Sequence, residues 1–222
     1  MKPQADAMCE SEDRLHWFRE ARLGMFVHWG LYSATGHGEQ IFYRDIMPEA
    51  EYRKLADQFK PPEDWAKRLV GEIRDTGMKY AILGARHHDG YCLFDTAADD
   101  FNSVTTGPGR DLVAEFVAAC REEGLRVGLY YSLLNWRWRG YWSPDRHPED
   151  LPGMVDEVHA QVGELMSHYG PIDILWFDGG LVPGEGGHGM WGLGRNSIPR
   201  TTAEFYRSHE LIEAIRQKQP DI

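Results

Sequence analysis

Four short stretches of the chain gather residue types that can handle a polar, uncharged ligand: His28-Trp29-Gly30, Arg86-His87-His88-Asp89-Gly90, Tyr130-Tyr131-Ser132 and Trp176-Phe177-Asp178-Gly179-Gly180. Together they offer sugar chemistry. A carboxylate can attack an anomeric carbon, imidazoles and a phenol can hydrogen-bond hydroxyls, and aromatic faces can stack on C–H surfaces. A retaining glycosidase needs a nucleophilic carboxylate about 5 to 5.5 Å from an acid/base carboxyl, and Asp178 suits the first role. Taken alone each residue has a plainer reading: His28 as a hydrogen-bonded structural histidine, Asp178 as the cap of a turn. Their recurrence at four corresponding places is what favours a site.

The His87-His88 pair reads poorly as a metal half-site. Neighbours in a strand point to opposite faces, and no HxH or HExxH spacing is present, so no metal and no cofactor are expected. Asp89 is expected to hold a histidine or a turn. Trp29, Trp136, Trp138, Trp142 and Trp176 fall in loops or at strand ends, where exposure to a ligand is expected for some and packing for the others.

The elements that must position these residues follow a repeated phrase, in which a helix ends at glycine and an apolar run begins at once. It occurs in Asp75–Leu83 with Gly77, in Glu123–Tyr130 with Gly124 and in His168–Trp176 with Gly170. Glycine suits the left-handed position closing a helix, and a short apolar run suits a strand buried on both faces. The run Gly24–Gly30 reads as the first strand. Helical stripes follow from the 3.6-residue period: Trp65, Leu69, Val70 and Ile73; Leu112, Phe116, Val117 and Cys120; Val155, Val158, Val162, Leu165 and Tyr169. After the fourth strand, residues 194–200 read as loop and Thr202–Gln217 as one further helix, with Phe205, Leu211, Ile212 and Ile215 apolar.

The expected fold is therefore α/β, of the (β/α) barrel type, with about four βα units: half of a TIM-like barrel in a single domain over 1–222 that stops where a fifth strand would begin. A complete barrel takes about 250 residues, and its catalytic groups sit at the C-terminal ends of the strands, where all four stretches lie. An open half leaves the first and fourth strands as apolar edges, so a fragment, or self-association into a homo-oligomer, is expected.

The 24 Lys and Arg against 35 Asp and Glu give a net charge of −11. That balance argues against nucleic acid as partner. No run approaches the roughly 18 apolar residues of a membrane span, and residues 1–14 carry no apolar leader, so no membrane contact and a cytoplasmic location are expected. Cys9, Cys92 and Cys120 form no CxxC pair and read as free thiols.

Five phrases in order, Trp17–Ser33, Lys79–Tyr91, Arg110–Val113, Gly128–Ser132 and Leu175–Gly179, resemble the α-L-fucosidases of glycoside hydrolase family 29. The resemblance implies a retaining exo-enzyme that removes terminal α-L-fucose, without a cofactor, from small glycosides or oligosaccharides. It implies Asp178 as nucleophile and His28, Glu39, His87, His88, Tyr131 and Trp176 as residues gripping the sugar. Glu39 matches a glutamate usually followed by tryptophan, where this chain has Gln40. The family's acid/base lies beyond the fourth strand and varies in position; Glu185, in the glycine-rich stretch 184–194, is the candidate within the chain. The competing readings are a half-barrel that binds fucose without turnover and, less well supported by the histidine spacing, a metal-dependent barrel hydrolase.

Overall fold

The computed structural model describes residues 14–144, 146–179 and 201–222. Four strands, β1 (Met25–Val27), β2 (Tyr80–Arg86), β3 (Arg126–Ser132) and β4 (Ile174–Asp178), form one sheet in the order β1-β2-β3-β4, every pair parallel. Between them run α1 (Trp65–Asp75), α2 (Leu112–Glu122) and α3 (Asp150–His168), and α4 (Ser208–Lys218) follows β4. This is the partial (β/α) barrel that the alternating sequence phrases predict. Gly77, Gly124 and Gly170 all take positive φ, closing α1, α2 and α3 in the left-handed conformation a side chain would resist.

One face of the sheet packs on the helices. Ala81, Leu83, Ala85, Val127, Leu129 and Tyr131 meet the apolar stripes of α1 to α3, including Val70, Ile73, Phe116, Val117, Val158, Val162 and Leu165. The buried Cys92 and Cys120 pack as small apolar groups, while Cys9 lies outside the described residues. The other face, which lines the barrel interior, carries Phe26, Ile82, Tyr130 and Trp176. Their rings meet edge to face, Phe26 to Tyr130 at 5.8 Å and Phe26 to Trp176 at 5.4 Å. Gly128 makes this layer possible, because a Cβ there would stand 2.5 Å from Cγ1 of Ile82, its partner on β2. Phe26 and Trp176 remain 39% and 52% exposed on the outer strands.

The region expected as one helix over Thr202–Gln217 is two. A turn at Thr202–Phe205 is capped reciprocally by Thr201 and Glu204, and the chain then passes through a left-handed Arg207 before α4 begins. The break lets Tyr206 bury its ring, with its carbonyl on His159 Nε2 of α3 at 2.9 Å, and lets Arg207 pair with Asp156. The resulting rotation points Leu211 and Ile215 inward and leaves Ile212 half-exposed.

Candidate active site

The C-terminal ends of the four strands deliver their polar residues to one rim, and Asp178 stands at its centre. Its Oδ2 accepts the Tyr130 hydroxyl at 2.7 Å, its Oδ1 accepts the Gly179 N–H at 2.6 Å, and His88 Nε2 lies 3.7 Å from Oδ2. The Asp178 side chain is 45% exposed, against 7% for His88, so it is the open member of the group. The chain turns sharply after it at Gly179, φ +73°, where a Cβ would also strike Leu134 at 2.4 Å. Only glycine fits that turn without displacing the nucleophile candidate.

Two imidazoles pack on the Tyr130 ring and a third packs on one of them. His28 and His87 centroids lie 4.7 and 5.6 Å from that of Tyr130, His87 lies 5.0 Å from His28, and His88 lies 4.3 Å from His87. Burial dominates their electrostatics: it pulls His87 down to about 2 and His88 to about 4 and also lowers His28, with Asp178 pulling the latter two part of the way back. All three are neutral at pH 7. A neutral imidazole carries one donor and one acceptor, the equipment for hydroxyl groups rather than for an anionic ligand. Burial and the bond to Asp178 push the Tyr130 phenol well above its ordinary value, which keeps it a donor.

As strand neighbours His87 and His88 would face opposite ways. β2 ends at Arg86, after a register shift between Gly84 and Arg86, and both histidines lie past the last paired residue, so strand alternation no longer separates them. Glu39 lies near enough for its charge to raise His28 and to be felt by His88 and Tyr32. Trp176 occupies the interior face two residues before Asp178, opposite Tyr130 in register. Among the described residues no set of three or more His, Cys, Asp or Glu side chains converges as a metal site.

Tyr131 is a correction. Its hydroxyl donates to Gln161 of α3 at 2.8 Å, the Arg86 guanidinium covers its ring at 4.4 Å, and it is fully buried on the helix-facing side. The tyrosine facing Asp178 is its neighbour Tyr130. Alternation puts Tyr130 and Ser132 on one face of β3 and Tyr131 on the other, but which face meets Trp176 and Asp178 is set by the register of β3 against β4. The expected functional contrast is sharp. Tyr130→Phe, which removes a hydrogen bond to a carboxylate worth about 1.5–3 kcal/mol, should slow a reaction at the Asp178 carboxylate about 10- to 100-fold, whereas Tyr131→Phe should mainly lower the melting temperature. Equal rate losses in both variants, measured at fixed protein concentration, would contradict this geometry.

Other expectations divide similarly. Trp29 stacks on Trp65 at 4.4 Å and on Phe59 at 4.9 Å, Trp142 donates to the Trp136 carbonyl at 2.7 Å and stacks on Tyr43, and Trp138 donates to Glu157 at 3.1 Å; these rings pack. Asp89 serves a turn, accepting Tyr91 N–H at 3.2 Å and the Tyr52 hydroxyl at 2.5 Å. Burial raises its carboxyl to about 6. Glu185 lies outside the described residues.

Comparison with known proteins bears on what this rim does. The family model described as Alpha-L-fucosidase matches residues 2–221. Tissue alpha-L-fucosidases of Rattus norvegicus and Homo sapiens are 32% and 31% identical over 185 residues, which is 73% of this chain and 39% of each relative. The chain thus spans about two fifths of the length of these curated relatives. Alpha-L-fucosidase isoenzyme 1 from Paenibacillus thiaminolyticus superposes with a TM-score of 0.79 at 33% identity, covering 96% of this chain and 50% of that one. A mutant of the alpha-L-fucosidase AlfC, solved in complex with 4-nitrophenyl-α-L-fucopyranoside, superposes with a TM-score of 0.75 at 30% identity over 94% of this chain and 67% of that one.

Proposed function

The chain belongs to the Alpha-L-fucosidase family, and from that premise we propose that it hydrolyses terminal α-L-fucosides with retention, through a fucosyl-enzyme intermediate on Asp178. The observation that carries the reading is the half-exposed Asp178 carboxylate at the end of β4, held at one oxygen by Tyr130 and at the other by the Gly179 N–H, beside three neutral imidazoles. In the first step a carboxylate oxygen forms a bond to the anomeric carbon while the bond to the aglycone oxygen breaks, and that oxygen takes a proton. In the second, water donates a proton to a base, attacks the same carbon from the opposite side and frees the carboxylate, so two inversions give net retention. His28, Glu39, His87, His88 and Trp176 fit the sugar: neutral rings and one carboxylate for its hydroxyls, an indole face for its C–H surface.

None of the described residues is assigned as proton donor, and this sets the test. Loss of general-acid assistance costs about 10²- to 10⁴-fold on a poor leaving group and far less on nitrophenolate. The purified chain is expected to cleave 4-nitrophenyl α-L-fucoside weakly and Fuc(α1,6)GlcNAc hardly at all; equal efficiency on both would mean that an acid is already in place. The outer strands β1 and β4 expose Phe26 and Trp176 and pair with no further described strand. This supports a second part of the reading, that association with another copy covers the open barrel face and completes the site. Specific activity should then rise with protein concentration. The competing reading, a fucose-binding half-barrel without turnover, predicts binding of fucose but no hydrolysis at any concentration.

A further inference from the structure

We propose that Ser132 is a positioning residue for this reaction: its hydroxyl donates to Nδ1 of His88 and fixes the ring in the form that turns an Nε2–H toward the Asp178 carboxylate. The inference rests on the fucosidase reading only for its consequence in turnover; the geometry stands apart from it.

Ser132 is fully buried at the end of β3, in register with Asp178 on β4. A serine hydroxyl has one proton and two lone pairs. Three groups reach it: the Leu134 N–H at 3.0 Å, which takes a lone pair, and two competitors for the proton, the Leu134 carbonyl at 3.0 Å and His88 Nδ1 at 2.6 Å. The carbonyl already accepts from Arg86 Nη2 at 3.3 Å. His88 is neutral, so one ring nitrogen carries hydrogen. Placing it on Nδ1 would aim the Nε2 lone pair at Asp178 Oδ2, 3.7 Å away, lone pair against carboxylate. Placing it on Nε2 removes that repulsion and leaves Nδ1 as acceptor for the shortest of the three contacts. Arg86 secures the serine from behind through its backbone, Nη2 donating to the Ser132 carbonyl at 2.8 Å. A continuous path therefore runs from the buried ion pair of Arg86 and Glu157, through Ser132, to the ring beside the nucleophile.

Without the hydroxyl, Nδ1 has no partner in a dry environment and nothing holds the ring plane, so the Nε2–H is no longer aimed. Hydrogen-bond partners that orient a metal-bound histidine contribute about 10- to 100-fold to activity, and a loss of that order is expected for this one.

The test uses the full chain with ¹⁵N-labelled histidine, the His88 signals being assigned by their loss in His88→Gln. In the wild-type protein at pH 7, His88 should show a protonated Nε2 and a hydrogen-bonded, unprotonated Nδ1. Ser132→Ala should move Nδ1 to its non-bonded position and lower kcat on 4-nitrophenyl α-L-fucoside about 10- to 100-fold, with a smaller change in KM. Ser132→Cys keeps the volume but offers only a weak S–H donor, and should resemble the alanine variant. A protonated Nδ1 in the wild type overturns the assignment, as does an unmoved Nδ1 signal in Ser132→Ala, and full activity in Ser132→Cys would make the residue a packing element. Should the wild-type chain release no nitrophenol, the functional reading fails while the nitrogen signals still decide this one.

Discussion

Asp178→Ala should reduce hydrolysis of 4-nitrophenyl α-L-fucoside on the order of 10⁴- to 10⁶-fold, the scale of loss when a covalent nucleophile is removed, while the fold survives. Survival is expected because the side chain is half-exposed and outside the apolar core, touching Tyr130, Gly179 and His88. Removing it leaves the Tyr130 hydroxyl without its acceptor at a place water can reach. The vacated space also offers a positive control. Azide can enter where the carboxylate stood and attack the same carbon, expelling nitrophenolate, which needs little protonation to leave. The product is a fucosyl azide of inverted configuration, because only one displacement occurs. Azide-dependent release of nitrophenol with that product identifies Asp178 as the attacking group. A variant within about tenfold of wild type would remove Asp178 from the nucleophile's role.

The second large effect is on stability. Arg86 is fully buried and donates to Glu157 at 2.9 Å, to Gln161 at 2.9 Å and to the Ser132 and Leu134 carbonyls, while Glu157 also accepts from Asn135 and Trp138. These bonds join the ends of β2 and β3 to α3 beneath the rim. Arg86→Met removes the cation and strands the carboxylate of Glu157 in the interior, a loss of about 3–5 kcal/mol. At about 2–4 °C per kcal/mol for a domain of this size, the melting temperature should fall by about 6 to 20 °C. Adding Glu157→Leu to Arg86→Met should recover part of the loss, since no unpaired charge then remains. Thermal unfolding followed by circular dichroism at constant protein concentration checks both; a fall below about 2 °C for the single variant would show that the network does not support the site.

Particular residues show where sequence and structure part company. Asp178, Trp176 and His28 were legible because each sits at or just beyond an apolar run whose fold class fixes where its end must lie. Tyr130 and Tyr131 were adjacent identical residues in one phrase, and only the register of β3 against β4 tells them apart. Strand alternation would separate His87 and His88, but it stops at the irregularity before Arg86. Arg86 itself, in the midst of a polar phrase, looked like a rim residue and is instead the buried support behind it.

The sequence by itself determined the alternation of helix and strand, the parallel sheet, the helix-ending glycines and the set of polar residues at the strand ends, because these follow from local periodicity and from backbone conformations that few residues can adopt. Only the tertiary structure decided which tyrosine meets the carboxylate, which tryptophans pack, that His87 and His88 are buried and neutral, and that a serine stands behind His88. Those outcomes depend on register and burial, which arise when elements distant in the chain are brought into contact and have no local signature.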